Sequence, residues 1–188
     1  MPAPITQEQN LLDREALLDA AERLFYERGV QAVGMDEVRA ASGLPLKRIY
    51  RFFPAKEDLV VAMLRRRDQR WRGELVAYVE RVAQPRARVL AVFDWLAEWF
   101  ARPGFRGCAW INAFGEFGTS SPAVLAEVRS HKQAFYDQIE VWVEATGAPV
   151  AEGVFLLAEG AMVTAGISGD PASAVHARAA AATLLGTR

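Results

Sequence analysis

Apolar residues recur along most of this chain at the three- and four-residue spacing of helices with one buried side. Leu17, Leu18, Ala21, Leu24 and Phe25 mark the first such stripe, which predicts a helix over 14–28 closed by Gly29. Two short helices are predicted over 35–42 and 46–53, joined by a turn at Gly43, Leu44 and Pro45. A long fourth helix is expected from about 55 to 83. A fifth follows Pro85, with Val89, Val92, Phe93, Leu96 and Phe100 on one side, and Pro103-Gly104 stops it. A sixth is predicted over 108–117. Ser121 and Pro122 then have the N-cap and first-turn chemistry to open a seventh, running to about 146. Breaks at 147–149 and 168–171 delimit an eighth over 150–167 and a ninth over 172–185. Strand-like alternation and hairpin turns are absent, so the expected fold is all-α, with about nine helices.

Half of the 188 residues, 52%, are apolar, enough for a packed core without disulfides or metals. The single Cys108 has no internal partner, which fits a reducing compartment. The first residues lack a basic flank before an apolar run, so no secretory signal is expected. The most apolar stretch, 154–167, is interrupted by Glu159 and glycines and falls short of the ~20 residues of a membrane helix. A cytoplasmic protein without membrane contact is expected.

Net charge is −1, but its distribution is uneven. Residues 39–56 hold five basic residues and no acidic one. A local basic patch on a neutral protein suits the reading of one DNA groove, although a solvated helix face gives the same pattern. In a helix-turn-helix, one helix enters the major groove while the other braces it on the backbone. Val38, Ala41, Leu44 and Ile49 have the spacing to pack both short helices on the first. Lys47, Arg48, Tyr50 and Arg51, with Leu46, would then point outward.

Residues 43–59 read GLPLKRIYRFFPAKEDL. Gly43, Tyr50, Phe53, Lys56, Glu57 and Leu59, with Ile49 as a conservative partner, resemble in order and spacing the DNA-binding domain of the TetR family of transcriptional regulators. The upstream LLDAAERLFYERG is similar to that family's first helix, so the resemblance covers about 17–64. It implies a homodimer on an operator, with Tyr50 and Lys56 on phosphates. Pro45 stands where the family usually has Ser, Gly34 where it has a Ser/Thr cap, and Arg48 where a small hydroxyl residue is common. Arg48 is therefore expected to compensate for a lost phosphate contact or to read guanine through two hydrogen bonds.

The rest of the chain carries all five tryptophans. Trp95 and Trp99 form an i, i+4 pair that makes the fifth helix apolar nearly all round. Asn112 and Glu116 lie one turn apart among large aromatics. An apolar site with a few polar groups is the usual form of a small-molecule pocket. The expected effector site therefore comprises Trp71, Trp95, Trp99, Trp110, Asn112, Phe114, Glu116, Phe117, Phe135 and Trp142. The alternative is an aromatic core, with Asn112 and Glu116 capping helices or facing solvent.

The eighth helix is apolar on almost every side and rich in Gly and Ala. In the family it resembles, the last two helices build a four-helix bundle across a two-fold axis. Val154, Leu157, Ala158, Ala161 and Ala165, with Val175, Ala179 and Ala182, are the expected dimer interface; the alternative is a central helix of the monomer core. Catalytic and metal readings find little support. His131 and His176 are the only histidines, and no H-x-x-x-H or C-x-x-C occurs. A Cys108–His131 pair would lack a third group at recognisable spacing. No enzyme activity, metal or cofactor is expected.

The expected organisation is an arm over 1–12, a helix-turn-helix domain over 13–55, and an effector-binding and dimerisation domain over 56–188. The expected function is that of a DNA-binding regulator, a repressor released from a palindromic double-stranded operator by a small hydrophobic effector. The alternative is an all-α small-molecule-binding protein with lost or altered DNA binding.

Overall fold

The computed structural model of the protein describes residues 6–118 and 120–186, and its regular structure among these is entirely helical. The helices are α1 (Gln7–Arg28), α2 (Met35–Ser42), α3 (Leu46–Phe52), α4 (Lys56–Val79), α5 (Pro85–Phe100), α6 (Ala109–Phe117), α7 (Pro122–Glu144), α8 (Ala151–Ser168) and α9 (Ala172–Leu184). α1 starts earlier than its apolar stripe. The Thr6 hydroxyl accepts from the Gln9 amide and caps it, so residues 7–12 are helix and not a loose arm. Residues 1–5 of the expected arm lie outside the described residues.

The described chain forms two compact units. The first runs to Arg66 and includes 112–127; the second holds 67–111 and 128 onward. The boundary between the two units, expected at 55/56, lies eleven residues further on, inside α4.

In the first unit, Leu17, Leu18, Ala21, Leu24 and Phe25 of α1 are buried with Val38 of α2, Ile49 of α3 and Leu59 and Val60 of α4. Of the four residues expected to seat the two short helices, Val38 and Ile49 do so, whereas Ala41 is exposed and Leu44 half-buried. Gly43 turns the chain between them with φ +70°, and a Cβ there would meet nothing within 4 Å. The glycine is needed for its left-handed backbone, not for space. Pro45 caps α3 through its carbonyl, which accepts from the Arg48 and Ile49 amides.

In the second unit, α8 packs on α9 and on α5. Val154, Ala158, Ala161 and Ala165 are buried there, facing Ala174, Ala177 and Ala181 of α9. For Val154, Ala158, Ala161 and Ala165 the alternative of a monomer core therefore replaces the expected dimer contact: small residues at 3 and 4 spacing let α8 approach its own neighbours closely. Leu157 and Ala182 are half-buried, and Val175 and Ala179 are exposed. The uncovered side of α8 carries Leu156, Gly160, Val163 and Ile167, a second stripe at helical spacing, and Ile167 is 84% exposed. By length and composition α8 could cross a membrane. Its buried stripe packs on α5 and α9, while its other side is uncovered.

Gly43→Ala should destabilise the protein by about 1–2 kcal/mol, the cost of a left-handed non-glycine residue. Urea denaturation of the two proteins measures this directly.

Candidate functional site

α3 presents three of its expected DNA-contacting side chains to solvent. Lys47 and Arg51 are exposed, Tyr50 is 44% exposed, and Ile49 between them anchors the opposite face. The other two are placed differently. Arg48 turns inward: its guanidinium donates to the Asp13 carboxylate at 3.0 Å and to Asn10 Oδ1 at 2.6 Å, and lies 4.4 Å from the Phe52 ring centroid. Its side chain is 9% exposed. Arg48 therefore does not reach outward as a guanine reader would; it ties α3 to the first turns of α1.

Lys56 is half-buried. Its ammonium donates to the Val30 and Val33 carbonyls, both at 2.5 Å, and sits near the Phe25 ring. Burial lowers its pKa, against the attraction of Glu116 and Glu37. The expected exposed phosphate contact is thus a brace on the α1–α2 connection. The complementary brace is Glu116, whose two carboxylate oxygens accept from the Val30 amide at 2.9 Å and the Gln31 amide at 2.6 Å. Glu116 is a loop anchor and not the free polar group of a pocket. Gly29 has φ +87°, and a Cβ there would crowd both Glu116 oxygens at 3.3 Å. Glu37 accepts from the Gly34 amide and pairs with Arg28, doing at the start of α2 what a Ser/Thr cap would do.

The ten residues expected around an effector divide between the units. Asn112, Phe114, Glu116 and Phe117 belong to the first, where Asn112 and Phe114 are exposed. Trp71, Trp95, Trp99, Trp110, Phe135 and Trp142 are buried in the second. Trp71 is the hub. Its ring meets Trp95, Phe135, His131 and Trp99 at centroid distances of 5.1 to 5.5 Å and Trp110 at 6.4 Å, all edge to face.

Two members of this cluster were not singled out for it from the sequence. His131 stacks on Trp110 at 3.5 Å, and its Nδ1 lies 2.6 Å from an Asp68 oxygen. Arg72 holds the same carboxylate at 2.7 to 2.9 Å. Burial works against the charge of Asp68, but hydrogen bonds from His131 and Arg72 outweigh it and bring the pKa to about 2. Burial pushes His131 down to about 4 despite Asp68. At neutral pH the pair is a carboxylate and a neutral imidazole with its proton on Nδ1. The signal was available as spacing: Asp68 and Trp71 are i, i+3 on α4, and His131 and Phe135 are i, i+4 on α7.

Residues 17–63 match the family model of bacterial regulatory proteins, tetR family. A TetR-family transcriptional regulator from Streptomyces coelicolor, SCO4454, superposes with a TM-score of 0.85 at 29% identity, covering 93% of this chain and 95% of that one. The chain belongs to the TetR family. The uncharacterized HTH-type transcriptional regulator Rv1255c of Mycobacterium tuberculosis is 35% identical over 79 residues, 42% of this chain and 39% of that protein. The HTH-type transcriptional activator FasR of Mycolicibacterium smegmatis is 30% identical over 134 residues, 67% of this chain and 56% of that protein. The chain thus spans from about two fifths to just over half of these two curated relatives. Regulators of the family are non-enzymatic proteins that bind DNA operators and act as dimers.

Arg48→Ala should lower unfolding stability by about 2–3 kcal/mol, between the costs of breaking exposed and buried ion pairs. Arg51→Ala should change it by less than about 0.5 kcal/mol; urea denaturation separates the two. Acid should also destabilise the protein through His131. Unfolded, it takes a proton near its ordinary 6.5; folded, only near 4, so stability is lost as pH falls between these values. The loss is roughly 3 kcal/mol at most. Asp68 adds a further loss below its ordinary 3.8. Thermal melts from pH 7 to 4.5 should show the first slope, and His131→Gln, which does not titrate, should flatten it.

Proposed function

We propose that the protein is a homodimeric repressor that holds a near-palindromic operator through Lys47, Tyr50 and Arg51 and leaves it when a small, largely apolar effector binds its second unit. The observation that carries this reading is the exposed cation–aromatic–cation run on α3, whose opposite face is locked by Ile49 and Arg48. Such a surface can contact phosphates and base edges without moving the helix that bears it. The dimer face is the uncovered stripe of Leu156, Val163 and Ile167 on α8 with Val175 on α9. An isologous contact here would be apolar and obligate in size, about 2,000 Å² or more. It would set two copies of α3 about 34–36 Å apart, on successive major grooves.

Release requires the effector to bind the two conformations unequally. α4 and α6 are suited to transmit that difference. α4 carries Lys56 at one end and Trp71 further along, and α6 carries Trp110 and Glu116. Each thus joins a brace on the α1–α2 connection to a ring of the aromatic cluster. The relative named as an activator, FasR, favours a second reading in which the same binding raises transcription.

Binding should be tested on the DNA upstream of the protein's own coding sequence, by fluorescence anisotropy across salt concentrations. Lys47→Ala and Arg51→Ala should each reduce the slope of log K against log salt by about one. Val163→Glu should sediment as a monomer, keep its helix content and lose operator binding. Wild-type protein that sediments as a monomer at micromolar concentration would refute the arrangement. A promoter–reporter fusion gives the sign, with higher output on deletion expected for a repressor.

A further inference from the structure

The aromatic cluster contains three buried polar atoms without a hydrogen-bond partner among the described residues: Trp71 Nε1, Trp110 Nε1 and His131 Nε2. Their side chains are at least 95% buried, and their ring centroids lie 3.5, 5.4 and 6.4 Å apart. Buried polar groups are nearly always paired, so three orphans on mutually contacting rings require a partner. Their chemistry restricts that partner. An indole nitrogen can only donate. Nδ1 of His131 faces the Asp68 carboxylate, which Arg72 also holds, so Nδ1 carries the proton and Nε2 is left as an acceptor. The cluster thus offers two donors and one acceptor.

A hydroxyl group matches this set in number and kind, with two lone pairs and one proton. An ether or carbonyl oxygen would leave Nε2 unpaired. A carboxylate would do the same and would also bring a second negative charge near Asp68. An ammonium group would leave both indoles unpaired. Trp95, Trp99 and Phe135 pack edge to face on Trp71 at 5.1 to 5.5 Å, so the three atoms sit among aromatic rings, the surroundings that favour an aromatic body on the hydroxyl.

We infer that the effector is an uncharged aromatic alcohol or phenol whose hydroxyl accepts from the Trp71 and Trp110 indoles and donates to His131 Nε2. Asp68 is the positioning residue that fixes the imidazole tautomer. This rests on reading the second unit as the effector-binding part of the regulator.

The test uses the full-length protein, with phenol, anisole, toluene and benzoate as probes, titrated by NMR of the five indole N–H signals. Trp71→Phe and Trp110→Phe assign the two that matter. Phenol should move both signals downfield and bind at least about tenfold more tightly than anisole or toluene. His131→Phe should reduce that preference to near unity while toluene binding persists. Equal affinity for phenol and anisole, a preference for benzoate, or no binding by any probe would overturn the inference. So would a crystal structure of phenol-soaked protein with only a buried water on the three atoms. Operator binding measured on the same sample keeps the two readings apart. Intact operator binding with no phenol preference defeats the effector class alone; lost operator binding with phenol preference intact defeats the regulator reading alone.

Discussion

The DNA-binding unit depends on how the connection between α1 and α2 is held. Four of its backbone groups face side chains of opposite character: the Val30 and Gln31 amides meet Glu116, and the Val30 and Val33 carbonyls meet Lys56. Val30 and Val33 are buried, and without these partners the Val30 amide and the Val33 carbonyl would be left unpaired there, each costing more than a hydrogen bond is worth. Charged groups satisfy them more strongly than neutral ones would. They also make the placement of α2, and of the turn that follows it, conditional on two residues from distant parts of the chain.

The second unit meets a related problem with another solution. Its core is built from indole rings, which bring large apolar area together with a donor that cannot be removed. Among them sit a histidine and an aspartate, and the electrostatics there are one-sided. Asp68 keeps its charge because Arg72 and His131 surround it, while His131 stays neutral because burial outweighs its partner. A fixed negative charge beside a neutral ring defines which nitrogen holds the proton, and so which hydrogen bonds the core can still make.

Much of this was legible from the pattern of residues. The helices, the glycine turn at 43 and the outward side of α3 follow from local periodicity and turn chemistry, which act within a few residues. What was not legible depends on partners far along the chain. Arg48 looks like a base reader until Asp13 and Asn10, some 35 residues away, fold against it. Lys56 and Glu116 look like free charges until the α1–α2 connection lies between them. On α8 the difficulty was symmetry: with apolar residues on nearly every side, periodicity offers two equivalent stripes, and only the packing of α5 and α9 selects the one at 154, 158, 161 and 165. The i, i+4 spacing of His131 and Phe135 puts both on one side of α7, but the stacking of His131 on Trp110, a residue of another helix, has no local sequence signal.

The Arg48 contact also changes the status of the chain's beginning. Asn10 and Asp13 lie in the first two turns of α1, a stretch that contributes no residue to the buried core and looks dispensable on that ground. Yet they are what the DNA-facing helix leans on. A deletion, affinity tag or proteolytic nick that frays those turns would release Arg48 from its seat and add a mobile cation to the reading surface. Such a protein would be expected to bind DNA less selectively, not simply less well, because the first two turns of α1 hold Arg48 although they touch no core.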